Sequence, residues 1–250
     1  MSPVRIAAFA ILVLPLTLGR LTAQGVDTIR VGNAAIARSL MPLTTDTVDD
    51  YTVTGGQRQL TGTTIRSIAM HQERGDRVYE IRTTSTGAGD TTFSTMVVRV
   101  QDLSLIFHRV KARSDSASVT VSRDHLTGWV VLPNQPAVLL DRTLEHPVFG
   151  VEGQLPWLLP LLPLTTGFRA VVTHFSEWSG AESFSTVAVV ASERVTVAGR
   201  SFDCWELDTG PLGPPRYRMY RWVDKQSRRV IQSVLRGTGT GPEYWSVLRS

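Results

Sequence analysis

One cysteine, Cys204, is all that 250 residues contain, so no internal disulfide forms and stability must come from a packed core and its hydrogen bonds. Cys204 sits in the strand-like run Phe202-Asp203-Cys204-Trp205 and reads as a small buried hydrophobe, ahead of a reactive thiol or an intermolecular bridge. Lysine is almost as scarce: Lys111 and Lys225 are the only two, and the other positive charges are arginines placed one or two at a time. A nucleic-acid binder needs a basic stripe or cluster, and this scatter argues against one. Arg216, Arg218 and Arg221, in a strand-like segment opposed by Asp224, read as the solvent face of a sheet.

Catalytic signatures are missing too. His71, His108, His125, His146 and His174 show no HExxH, no HxH and no metal-ligand spacing with cysteine or carboxylate. GxSxG is absent; Trp178-Ser179-Gly180 lacks the first glycine and a following helix. Neither GxxxxGK[ST] nor a helix-opening GxGxxG occurs, and Gly237-Thr238-Gly239-Thr240-Gly241 reads as a hairpin loop rather than a phosphate cradle. Serine triads and glycosidase carboxylate pairs are assembled in space, so a hydrolase stays open as a minor alternative. The expectation is a non-enzyme with no catalytic residue, no metal and no cofactor.

What is present begins at the N-terminus. Arg5 supplies a positive start, residues 6–18 form an apolar stretch interrupted by Pro15 and Thr17, and Ala23 is a small residue at a plausible cut. A membrane-spanning helix needs roughly 20 apolar residues, so residues 1–23 read as a cleavable signal peptide and the protein as exported, periplasmic or secreted. No cysteine follows the cut to carry a lipid. Cleavage removes Arg5 and Arg20, taking Lys plus Arg from 26 to 24 against 22 acidic residues, a net charge of +2.

Residues 24–48 read as an extended lead-in. From residue 49 to 250 the text is Thr, Val, Ile and aromatic residues in short alternating runs punctuated by Gly, Asp, Asn and Ser, the pattern of consecutive antiparallel strands. Strands are expected at 51–54, 63–72, 77–84, 92–100, 104–112, 118–123 and 127–132, then at 168–176, 185–197, 201–208, 216–223, 229–236 and 243–248. Met96, Val98 and Val100 share one face of their strand, and Val119 and Val121 share one face of theirs.

The middle is different. Residues 140–149 have no period of two, and 155–164 are almost entirely Leu, Pro and Trp, with Pro156, Pro160 and Pro163 ruling out a long helix. So apolar a segment must lie on something. It is a plug closing the open face of the sheet, the wall or lid of an apolar ligand cavity, or a membrane-contacting segment.

The most recognisable text is Leu161-Leu162-Pro163-Leu164 with Gly167, then Val195-Thr196-Val197-Ala198-Gly199-Arg200-Ser201-Phe202-Asp203-Cys204-Trp205, then Tyr220-Arg221-Trp222-Val223-Asp224 and Arg229-Val230-Ile231. Over about 90 residues it resembles an exported bacterial domain of unknown function related to the lipoprotein-carrier (LolA-like) half-barrel superfamily. The resemblance implies a mainly β fold: a single large curved antiparallel sheet, a half barrel, with one short Pro-rich helical or loop insertion covering a concave face that holds an acyl chain. It brings no catalytic residues, and convincing covering helices are missing from this chain.

The functional expectation is therefore an exported non-enzymatic protein binding a lipid or another hydrophobic small molecule. Met96, Val98, Trp157, Leu158, Leu161 and Leu162 are the candidate lining residues. The alternative is a structural or protein-interaction module of the cell envelope with a filled core. Neither reading involves nucleic acid or a stable membrane span after cleavage.

Overall fold

The computed structural model describes residues 27–73, 75–151, 155–211, 217–237 and 241–249. The segment read as a signal peptide, Arg216, and the loop at 238–240 lie outside them.

A short strand, β1 (Asp27–Ile29), opens the described chain. It is followed by a meander of β2 (Thr45–Thr54), β3 (Gln57–Glu73), β4 (Asp76–Gly87), β5 (Asp90–Arg99), β6 (Leu105–Lys111), β7 (Ser116–Ser122), β8 (His125–Val131) and β9 (Val138–Thr143). A second meander contains β10 (Arg169–Ser176), β11 (Ala181–Val197), β12 (Arg200–Pro211), β13 (Tyr217–Asp224), β14 (Val230–Gly237) and β15 (Glu243–Leu248). Tight turns drive both. Gly55-Gly56, Ala88-Gly89 and Ala198-Gly199 are two-residue links with positive φ at both positions, the geometry whose twist matches that of paired strands.

All fifteen strands belong to one open sheet in the order β1-β10-β11-β12-β13-β14-β15-β2-β3-β4-β5-β6-β7-β8-β9. The two meanders meet where β15 pairs antiparallel with β2, Trp245 opposite Tyr51 and Ser246 opposite Asp50. One pairing departs from the expected all-antiparallel pattern: β1 lies parallel to β10, which makes the sheet mixed. Residues 24–48 supply β1, a 3₁₀ turn at Arg38–Leu40 and the start of β2, and they bury Ile29, Ile36 and Met41.

Two hydrogen bonds reveal the curvature. Leu105 N, on β6, donates to Val148 O, and Phe175 N, on β10, donates to Gly150 O, each at 2.9 Å. In a flat sheet ten strand steps of roughly 4.8 Å would separate β6 from β10 by about 48 Å, far beyond the reach of residues 148–150. The sheet must therefore curl around this segment, as a half barrel does.

Inside the curl, the main core joins Met96 and Val98 of β5, Val119 and Val121 of β7, Val187 of β11 and Leu207 of β12 to apolar residues of 148–151 and 155–164. A second core lies on the other face. Val189 opposes Leu207 but Ala191 opposes Glu206, so the extra residue, Val190, is a bulge that reverses the facing of β11. Val187 and Val189 before it join the main core, whereas Val195 and Val197 after it pack with Cys204, Trp222 and Leu248. Trp222 stacks on Trp245 there, with ring centroids 5.9 Å apart.

Candidate functional site

The Pro-rich segment forms two 3₁₀ turns, Leu155–Trp157 and Leu159–Leu161, and no longer helix. Its prolines remove the amide donors that a continuing α-helix would use. It sits in the hollow of the sheet: Trp157, Leu158, Leu161 and Leu162 are between 0 and 2 % exposed, and Met96 and Val98 beneath them are fully buried. All six candidate lining residues thus fall in one cluster. Contact is close, for a Cβ added at Gly150 would come within 2.7 Å of Met96 Sδ. The lead-in helps hold the segment, with Ala37 N donating to Leu161 O at 2.9 Å.

At the edge of this plug the hollow is unfilled. A cavity of about 200 Å³ opens over β13, β14, β15, β2 and β3, with Pro156 on its rim. Its walls mix charged and hydroxyl side chains with apolar ones. Register explains which residues line them: Arg221 opposes Ser233, Ser233 opposes Ser246, and Ser246 opposes Asp50, giving one row across four strands. Asp46, on the same strand as Asp50, opposes Arg66 of β3.

Both carboxylates of the cavity are engaged. Asp46 is bridged by the Arg229 guanidinium, and Asp50 accepts hydrogen bonds from Ser246 Oγ at 2.6 Å and Thr64 Oγ1 at 2.8 Å. The two cavity guanidinium groups are less well served. Arg221, 8 % exposed, donates to Thr209 Oγ1, which in turn donates to Met219 O. Among the described residues no carboxylate pairs with Arg221. Burial, and then the neighbouring Arg66 charge, push its pKa down to about 10. Arg66 is lowered by burial as well, with Asp46 and Asp50 opposing the shift. The expectation that Arg221 faces solvent is therefore corrected. Alternation shows which residues share a face, and only the curl shows that this face looks inward, where Leu207 lies opposite Arg221 with no exposure.

A second polar group is walled into the core. Ser94 Oγ lies 3.0 Å from His108 Nε2, and His108 Nδ1 lies 3.6 Å from Glu177 Oε1. The order hydroxyl, imidazole, carboxylate is that of a hydrolytic triad. Its setting differs, since Ser94, His108 and Glu177 are 6, 1 and 3 % exposed. Burial drives the His108 pKa down to about 4, leaving the ring neutral near pH 7 and a weak base. Periodicity could not have found this trio, because the turn after β10 reaches the paired β5 and β6 only through the curl.

Two further clusters lie at the surface. Glu145, His146 and Glu182 bring ligand atoms within 4.8 Å of one another, and Glu182 Oε1 already accepts from the backbone amides of Glu145 and His146. On the outer face, a wider groove of about 650 Å³ runs past Tyr51, Arg58, Glu243 and Trp245, with Arg58 stacked over the Tyr51 ring. Among the described residues, no helix is long and apolar enough to cross a membrane.

No protein-family model matches the sequence, and no curated protein does. Among solved structures the chain is similar to a crystal structure of a "putative lipoprotein" from Parabacteroides distasonis, at 8% identity and a TM-score of 0.30, over 84% of this chain and 96% of that one. A likeness of that size carries no functional argument, so the reading of this protein rests on its own residues.

Proposed function

We propose that this protein is an exported, non-enzymatic binding module of the periplasm or extracellular space, with a LolA-like half barrel whose concave face receives a lipid or another hydrophobic molecule. One observation carries the reading: the hollow is covered by two short 3₁₀ turns rather than by a long helix, and a cavity stays open at their Pro156 edge. A ligand entering there displaces residues 155–164 and takes up their contacts with Met96 and Val98. The non-enzymatic part is supported by the triad-like group, whose serine is buried and whose histidine is a weak base.

A second reading, an envelope protein-interaction module with a permanently filled core, is favoured by the near-zero exposure of Leu158, Leu161 and Leu162. Two experiments separate them. Protein purified from its native host is extracted with organic solvent and the extract analysed by mass spectrometry; a repeatable stoichiometric lipid supports the first reading and an empty extract the second. Leu158→Asp and Leu161→Asp are then compared by circular dichroism. A displaceable cover predicts a folded protein that has lost its ligand. A permanent core predicts unfolding, each buried leucine being worth roughly 2–5 kcal/mol.

A further inference from the structure

A guanidinium taken out of water normally sits against a carboxylate, since an uncompensated buried charge is costly. Asp46 meets this requirement for the part-buried Arg229. Arg221 breaks the pattern. It is among the most buried charged groups described, its hydrogen-bond acceptor among the described residues is the neutral Thr209 hydroxyl, and the charge that acts on it is a like one, Arg66. Arg66 and Arg221 line the same open cavity, and its two carboxylates are already held by Arg229, Ser246 and Thr64.

We propose that Arg66 and Arg221 form an oxyanion clamp, and that the ligand of the concave face presents a carboxylate or phosphate to it. This rests on the reading of the concave face as a binding surface. Arg221 has donors to spare after Thr209 is served, and a second guanidinium across the cavity allows an anion to be gripped from two sides with paired, charge-assisted hydrogen bonds. The bound anion relieves the repulsion between the two arginines. Its position also sets the polarity of an amphiphile: the charged head lies in the mouth beside Pro156, and an apolar tail, if there is one, runs beneath the plug.

Isothermal titration of the purified protein with inorganic phosphate, decanoate and neutral decanol tests the clamp and separates its sources. Phosphate binding without decanoate binding identifies a free anion, and decanoate binding far above phosphate identifies a lipid-like ligand; both support the clamp. Arg66→Gln, at a partly exposed position, should weaken the anion that binds by about tenfold or more and leave the circular dichroism spectrum unchanged. Arg221→Met should abolish the anion-induced rise in melting temperature, without lowering the melting temperature of the ligand-free protein. The clamp is overturned if neither anion binds, or if both variants bind the anions as wild type does. Decanol binding that ignores both substitutions, with no anion binding, removes the clamp and leaves the binding module standing. No binding of any probe, together with an empty native extract, removes both.

Discussion

His108 should make the protein acid-labile by an amount that the structure sets. Its ring is 1 % exposed and its folded pKa is about 4, against 6.5 for an ordinary histidine. Above pH 6.5 the ring is neutral in both folded and unfolded chains, and its titration does not affect stability. As the pH falls through 6.5 the unfolded chain takes up a proton that the folded one refuses, so stability falls until the pH reaches about 4. At about 1.4 kcal/mol per pH unit, the interval between the two pKa values amounts to roughly 3 kcal/mol. His108→Gln keeps an amide within reach of Ser94 and Glu177 but cannot be protonated. Urea unfolding of both proteins, stepped from neutral pH down to about pH 4, gives the difference directly. The variant should start less stable and close the gap by about 3 kcal/mol as the solution is acidified. Groups remote from the substituted ring act on both proteins alike and cancel. Stability curves that stay parallel over the whole range would refute a neutral buried His108.

Other substitutions probe the frame around the site. Gly128→Ala should lower the melting temperature sharply, because the new Cβ would lie 2.1 Å from the Ser118 carbonyl oxygen of β7, and overpacking against backbone costs about 1–3 kcal/mol or more; an unchanged melting curve would show that β7 and β8 are not packed this closely. Cys204 should resist a thiol reagent at mildly alkaline pH and react only in denaturant. Burial first, and then the charges of Asp224, Asp203 and Glu193, push its pKa up to about 12; prompt labelling of folded protein would contradict this. Asp224→Ala should cost about 1–3 kcal/mol in urea titrations, since Asp224 Oδ2 accepts from both Ser227 N at 2.7 Å and Ser227 Oγ at 2.6 Å in the β13–β14 turn.

The strands themselves are legible in the sequence because turn chemistry and alternation are local properties. Gly55-Gly56 and Ala198-Gly199 mark hairpins where hairpins occur. The strands that escape notice lack those properties. β1 has three residues, and β9 is an edge strand in which only Leu140 is buried while Leu139 is 81 % exposed, so no inside-outside rhythm is written into it. The apolar half of the candidate site is legible as well, since so many leucines in 155–164 demand cover. The polar half is not. Arg66 and Arg221 lie on strands whose alternation is ordinary, and their meeting depends on β15 joining β2 and on the curl of the whole sheet. The burial of Ser94, His108 and Glu177 has the same long-range origin.

The seam between β15 and β2 also has a kinetic side. Each meander is built from neighbours in the chain and can zip from turn to turn, but Ser246 reaches Asp50 across 196 positions of sequence. Until that junction forms, the inner edges of β15 and β2 are unpaired templates for mispairing. The row Arg221, Ser233, Ser246, Asp50 is equally incomplete, so the cavity exists only in molecules whose halves have docked. Anything that binds there selects finished molecules from unfinished ones and, by holding the seam shut, acts as a clasp on the slowest-formed contact of the fold.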